Sequence, residues 1–154
     1  MRIVTFDIET ANWLSDTGTN DPADLTIAIV CIHDSETDLY SSYLVSELPR
    51  LWPILEHTDV LVGYNCDHFD IPLLNKYYPG DLKRLKSVDI MKEMQAAVGR
   101  RLKLDMIADG TLGEKKTAGA AGRVADRLPG LGRNRVHHRL DQRARREVLP
   151  RAAL

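Results

Sequence analysis

Two carboxylates stand two residues apart in Phe6-Asp7-Ile8-Glu9-Thr10, and a third closes the stretch Asn65-Cys66-Asp67-His68-Phe69-Asp70. On a strand, side chains at i and i+2 project to one side, so Asp7 and Glu9 would share a face at its C-terminal end. Clustered carboxylate oxygens are hard ligands, suited to Mg²⁺ or Mn²⁺. Two such ions about 4 Å apart activate a water and stabilise the leaving oxygen in phosphodiester cleavage, which takes more than two carboxylates. Asp70 is the candidate third, provided that the strand before it lies beside the first. Taken singly, Asp-x-Glu is a common surface pattern and Asp70 reads equally as a helix N-cap. Taken in order, each at a strand end, the three favour a site.

The elements that must position them follow from pattern. Arg2 to Phe6, β-branched and aromatic, predicts a buried strand running into Asp7. Leu25 to Ile32 predicts a second strand, His33 to Glu36 a turn, and Thr37 to Leu44 a third, more exposed strand completing a hairpin. Ser15 to Asp24 reads as a polar loop. Ser46 is placed to cap a helix with Leu48, Leu51, Trp52 and Leu55 on one face, its course blurred by Pro49 and Pro53. Asp59 to Tyr64 predicts a fourth strand, after which Asp67 or Asp70 caps a helix through Ile71, Leu73, Leu74 and Tyr77, stopped near Pro79-Gly80. Lys86 to Ile90 predicts a short fifth strand and Met91 to Val98 a helix. Leu102, Leu104, Met106 and Ile107 predict another short helix ending at Gly110. The fold class is therefore α/β, a mixed sheet of about five strands: three antiparallel strands first, then strand–helix alternation. Helices flank the sheet, which is incomplete at the C-terminus.

With 154 residues, 44% of them hydrophobic and 28% charged, the chain is the size of one globular domain. The start has neither a long apolar core nor a small-residue cleavage site, and no stretch approaches the roughly 20 apolar residues of a membrane span. A cytoplasmic protein with no membrane partner is the expectation. Cys31 and Cys66 have neither disulfide-framework nor metal-ligand spacing and are assigned no chemistry.

Charge divides the chain in two. Residues 1–119 carry 12 Lys+Arg against 19 Asp+Glu, a net of −7. Residues 120–154 carry nine Arg, no Lys and three acids, a net of +6, and the last aromatic residue is Tyr78. The expected organisation is a domain over 1–119 and an Arg-rich, disordered tail over 120–154. A shifted reading frame in a GC-rich gene yields such a composition, rich in Arg, Ala, Gly, Pro and Leu and devoid of Lys, Phe and Tyr. The functional reading is a basic arm that gains affinity for nucleic acid by counterion release.

Phe6-Asp7-Ile8-Glu9-Thr10 resembles the first motif, and Asn65 through Phe69-Asp70 the second, of the DEDD superfamily of 3′-to-5′ exonucleases, which includes polymerase proofreading domains. The resemblance covers about residues 1–119 and implies a ribonuclease H-like fold. It implies that Asp7 bridges two Mg²⁺ or Mn²⁺ ions, that Glu9 binds the one that activates water, and that Asp70 supports the other. Thr10 and Asn65 would lie near the substrate. Leu112-Gly113-Glu114-Lys115-Lys116 is similar to a stretch before the third motif, where Lys116 would contact phosphate; a solvated turn accounts for it as well. The partner implied is a nucleic acid with a free 3′ end, DNA or RNA; a polymerase or repair partner is left open. The third motif should end in a metal-binding Asp preceded by Tyr four residues earlier or His five earlier. No Tyr follows Tyr78, His137 and Asp141 are four apart, and Arg143 stands five after His138. The expectation is an impaired exonuclease domain; the alternative is a non-catalytic nucleic-acid-binding module that uses the basic tail.

Overall fold

A computed structural model of the chain describes residues 1–114. The tail over 120–154, with His137, His138 and Asp141, and the Lys115-Lys116 pair lie outside the described residues, as does the proposed boundary at 119.

Five strands form one mixed sheet in the order β3-β2-β1-β4-β5. β2 (Ile27–Asp34) runs antiparallel to both β1 (Ile3–Thr10) and β3 (Leu39–Leu44), while β4 (Val60–Gly63) and β5 (Ser87–Asp89) run parallel to β1. The hairpin is as expected, and the fourth strand lies beside the first, the condition set for Asp70 to face Asp7. Parallel neighbours need a crossover, and the connection to β4 carries a 3₁₀ segment (Val45–Arg50) and α2 (Trp52–Glu56), while that to β5 carries α3 (Asp70–Asn75). α4 (Ile90–Val98) and α5 (Leu104–Leu112) follow.

One face of the sheet holds the core. Val4, Phe6 and Ile8 of β1 meet Val30 and Ile32 of β2 and Leu61 of β4, covered by Leu48, Leu51, Leu55, Ile71, Leu73 and Leu74. The apolar alternation of β1 and the helical spacing around Leu48 to Leu55 both serve this layer.

The boundaries depart from expectation where local chemistry overrides pattern. The β2–β3 turn falls at 35–38 rather than from His33, because Asp34 is held in register opposite Val4, and Asp38 takes the left-handed φ of 55° that closes the hairpin. The segment from Val45 is 3₁₀ rather than a helix capped by Ser46; Pro49 and Pro53 lack the amides that a continuous α-helix would use. Within the expected polar loop, Leu14–Thr17 forms α1 and Pro22–Asp24 a 3₁₀ turn capped by the Asp21 side chain. α5 continues through Gly110 and stops at Gly113, whose φ of 70° ends the helix. No helix among the described residues is long and apolar enough to cross a membrane.

At the edge of the core layer Arg2 makes a two-pronged pair with Asp34, Nε to Oδ1 at 3.1 Å and an Nη to Oδ2 at 2.7 Å. The guanidinium hydrogen bond, opposed in part by burial, holds the Asp34 carboxyl below its ordinary value. A lowered folded-state value means that the stability exists above the unfolded carboxyl range and is lost as pH falls through it. Asp34→Ala should therefore lower stability by about 2–3 kcal/mol at pH 7 in urea unfolding, with the difference shrinking below roughly pH 3.5. An unchanged midpoint at pH 7 would show the pair to be energetically idle.

Candidate active site

With Val4, Phe6 and Ile8 turned into the core, Thr5, Asp7 and Glu9 stand on the opposite, exposed face of β1. Pairing with β2 sets Cys31 opposite Asp7 and Ile29 opposite Glu9. The Cys31 thiol registers the field of that face. Burial raises its pKa, the Ser42 hydroxyl opposes the rise, and the charges of Asp7 and Glu9 both add to it.

β4 ends at Gly63, and six residues then turn the chain into α3. A Cβ at Gly63 would lie 2.5 Å from the Cβ of Cys66, so the close return of the turn onto the strand requires glycine. Asn65 takes a left-handed φ of 61°, which Asn tolerates better than most residues. The Phe69 amide donates to the Asn65 carbonyl at 3.0 Å and the Ile71 amide to that of Cys66 at 2.8 Å, closing the turn before the helix begins. The Tyr64 hydroxyl donates to the Leu102 carbonyl, tying the α4–α5 connection to the end of β4.

Neither Asp67 nor Asp70 caps α3, contrary to expectation: the cap position is Phe69, without a side-chain hydrogen bond. Asp67 is engaged elsewhere, accepting from Ser87 Oγ and Lys92 Nζ, each at 2.6 Å. Asp70 occupies the first position of α3 and turns toward β1, where the Ile8 amide donates to its carboxylate. It is 4% exposed. Burial first, and then the charge of Asp7, push its pKa up to about 7; the amides of Ile8 and of Asp70 itself pull the other way, and Asp89 adds a smaller upward push.

The structure thus brings Asp70 into the field of Asp7, with Glu9 on the same strand face as Asp7. Asn65 lies at the head of the turn that carries Asp70, and its Oδ1 is a buried acceptor with no partner among the described residues. Thr10 is less available, since its hydroxyl donates to the Asn12 carbonyl at 2.9 Å. Lys116 lies outside the described residues.

Asp89 is the polar residue that pattern alone misses. Residues 86–90 read only as a strand, yet the Asp89 carboxylate caps α4 and receives backbone amides from the turn after β4. The signal available was an Asp directly before a helical stretch, the ordinary N-cap position. One ligand atom each from Cys66, Asp67 and Asp89 lies within 4.8 Å of the others, a spacing a metal ion could bridge. Their chemistry points elsewhere: both carboxylates are already engaged in hydrogen bonds, and burial with nearby carboxylates raises the Cys66 thiol to about 12. The grouping is a hydrogen-bonded brace.

With this geometry in hand, the RNase_H superfamily model matches residues 4–128, and the chain belongs to the RNase H superfamily. No curated protein matches it. RNase D of Trypanosoma brucei is similar over 92% of this chain and 52% of its own, at 14% identity and a TM-score of 0.61. NrnC of Brucella melitensis is similar over 94% and 72%, at 14% identity and 0.55. The family B DNA polymerase of the archaeon Pyrobaculum calidifontis is similar over 74% and 18%, at 18% identity and 0.54. The chain spans about half the length of RNase D and less than a fifth of the polymerase. At these identities the likeness shows the ribonuclease H-like fold alone, the fold class expected from the sequence.

A raised folded-state carboxyl makes its own prediction. The contribution of Asp70 to stability is fully present below the unfolded carboxyl range and is lost as pH rises through about 7. In chelator-treated protein, urea unfolding should show stability declining between about pH 4 and pH 7, and Asp70→Asn should remove about 1 kcal/mol or more of that decline. An identical pH profile for the variant would place the titration on another group.

Proposed function

We propose that this chain is a metal-dependent 3′-to-5′ exonuclease domain that hydrolyses phosphodiester bonds at nucleic-acid 3′ ends through Asp7, Glu9 and Asp70, and that its activity is impaired. The observation that carries the reading is the buried carboxyl of Asp70 held against β1 within the field of Asp7. Burying one carboxylate beside another is electrostatically costly, and such an arrangement persists most readily where a cation relieves it. The donor set fits Mg²⁺ or Mn²⁺, being composed of hard carboxylate oxygens on an exposed strand face and a helix start. A structure of Brucella melitensis NrnC with bound Mg²⁺, at a TM-score of 0.54, supports the same choice.

In this reading Asp7, Glu9 and Asp70 would together hold the divalent cation. When bound, two such ions supply an activated water and charge stabilisation of the leaving oxygen. The chain's own residues would place the substrate on the exposed face of β1 that carries Asp7 and Glu9, with Asn65 heading the turn that leads to Asp70. The proposed impairment rests on the stretch beyond Tyr78, the last tyrosine, in which no Tyr-x-x-x-Asp and no His followed by Asp five residues on occurs. Mg²⁺ demands near-ideal geometry, so a missing ligand lowers its occupancy, and the more tolerant Mn²⁺ is the better test ion.

An end-labelled single-stranded oligonucleotide should shorten slowly from its 3′ end in Mn²⁺, and the double change Asp7→Ala/Glu9→Ala should abolish the shortening. Equal activity in the double variant would remove these residues from the chemistry. Salt-sensitive binding that needs no divalent ion and disappears on removal of residues 120–154, whose net charge is +6, would favour the binding module instead.

A further inference from the structure

We infer that Asp89 is a positioning residue for the carboxylate site, its buried carboxylate fixing the turn that holds Asn65 and presents Asp70 to β1. The inference rests on the site proposed above. Asp89 is 3% exposed and ends β5. Its Oδ1 accepts from the Asn65 amide at 2.8 Å and the Met91 amide at 3.0 Å, and its Oδ2 accepts from the Asp67 amide at 3.3 Å. Only the Met91 bond belongs to the cap of α4. The other two reach back 24 and 22 residues and serve no helix.

Those two bonds act where the chain is most constrained. The Asn65 amide belongs to the residue with left-handed φ, and its bond to Asp89 selects that conformation over the extended one. The Asp67 side chain braces the turn from the other direction, through Ser87 on β5 and Lys92 on α4. Phe69 and Ile71 then hydrogen-bond back to Asn65 and Cys66, so a shift at Asn65 or Asp67 is carried directly into Asp70. A buried amide that loses its acceptor turns to find water, which is how removal of the Asp89 carboxylate would loosen the turn.

Asp89→Ser separates the two duties. Serine caps a helix nearly as well as aspartate, but its hydroxyl is too short to reach Asn65 and Asp67. Asp89→Asn keeps one acceptor oxygen and turns an NH₂ toward the Asp67 amide, an intermediate disruption. In the full chain, amide hydrogen exchange over residues 64–69 should speed up by about an order of magnitude in Asp89→Ser while β1 and β2 keep their protection. Mn²⁺ affinity, read by electron paramagnetic resonance, should fall by roughly 10- to 100-fold, with Asp89→Asn between. Exchange that does not change overturns the inference, as does a loosened turn with Mn²⁺ affinity within about twofold of the native chain. Should Asp89→Ser fail to fold, Asp89→Asn carries both measurements. Asp7→Ala is the control. If native Mn²⁺ binding survives it, the metal reading of the site fails, and the exchange result alone decides the role of Asp89.

Discussion

The parallel pairing of β1 with β4 is the constraint on which the rest of this structure depends. It sets Thr5 beside Val62 and carries the end of β4 alongside the stretch of β1 that bears Asp7 and Glu9. Because the two strands point the same way, the turn that leaves β4 emerges where the carboxylates of β1 stand. An antiparallel partner would have sent that turn to the opposite edge. The crossover over the core face follows, as does the sheltered position from which the start of α3 reaches the Ile8 amide.

The site is a place where stability is given up locally. Asp70 is buried near a charge of its own sign and is held with a proton affinity far above that of an ordinary carboxyl. The core layer under β1 is where the fold gains the stability that offsets this. The contrast between Asp34 and Asp70 is instructive: at Asp34 the guanidinium hydrogen bond outweighs burial and the carboxyl is lowered, while at Asp70 burial, with the charge of Asp7 added to it, raises the carboxyl.

Much of this was legible in the sequence, for physical reasons that can be named. Asp7 and Glu9 were legible because a strand has a period of two and their apolar neighbours fix which face is buried. Asp70 was legible as a candidate, but its role as a helix cap was misread, since its orientation depends on a contact with Ile8 across 62 residues of sequence. The extent of α5 was misjudged because Gly110 is an ordinary stop signal that surrounding helical contacts override. Asp89 stayed hidden for the most general reason. Its partners lie more than 20 residues back, and no local period encodes such a bond.

The central claim is that Asp7, Glu9 and Asp70 form one cation site. The most direct measurement is an amide NMR spectrum of the full chain titrated with substoichiometric Mn²⁺, whose paramagnetism broadens nearby resonances. The account predicts selective loss of signals from Asp7 to Thr10 together with those from Asn65 to Asp70, while the hairpin turn at 35–38 and α5 stay sharp. Broadening centred on other acidic groups, such as Asp21 and Asp24 or Asp105 and Asp109, with β1 unaffected, would contradict it.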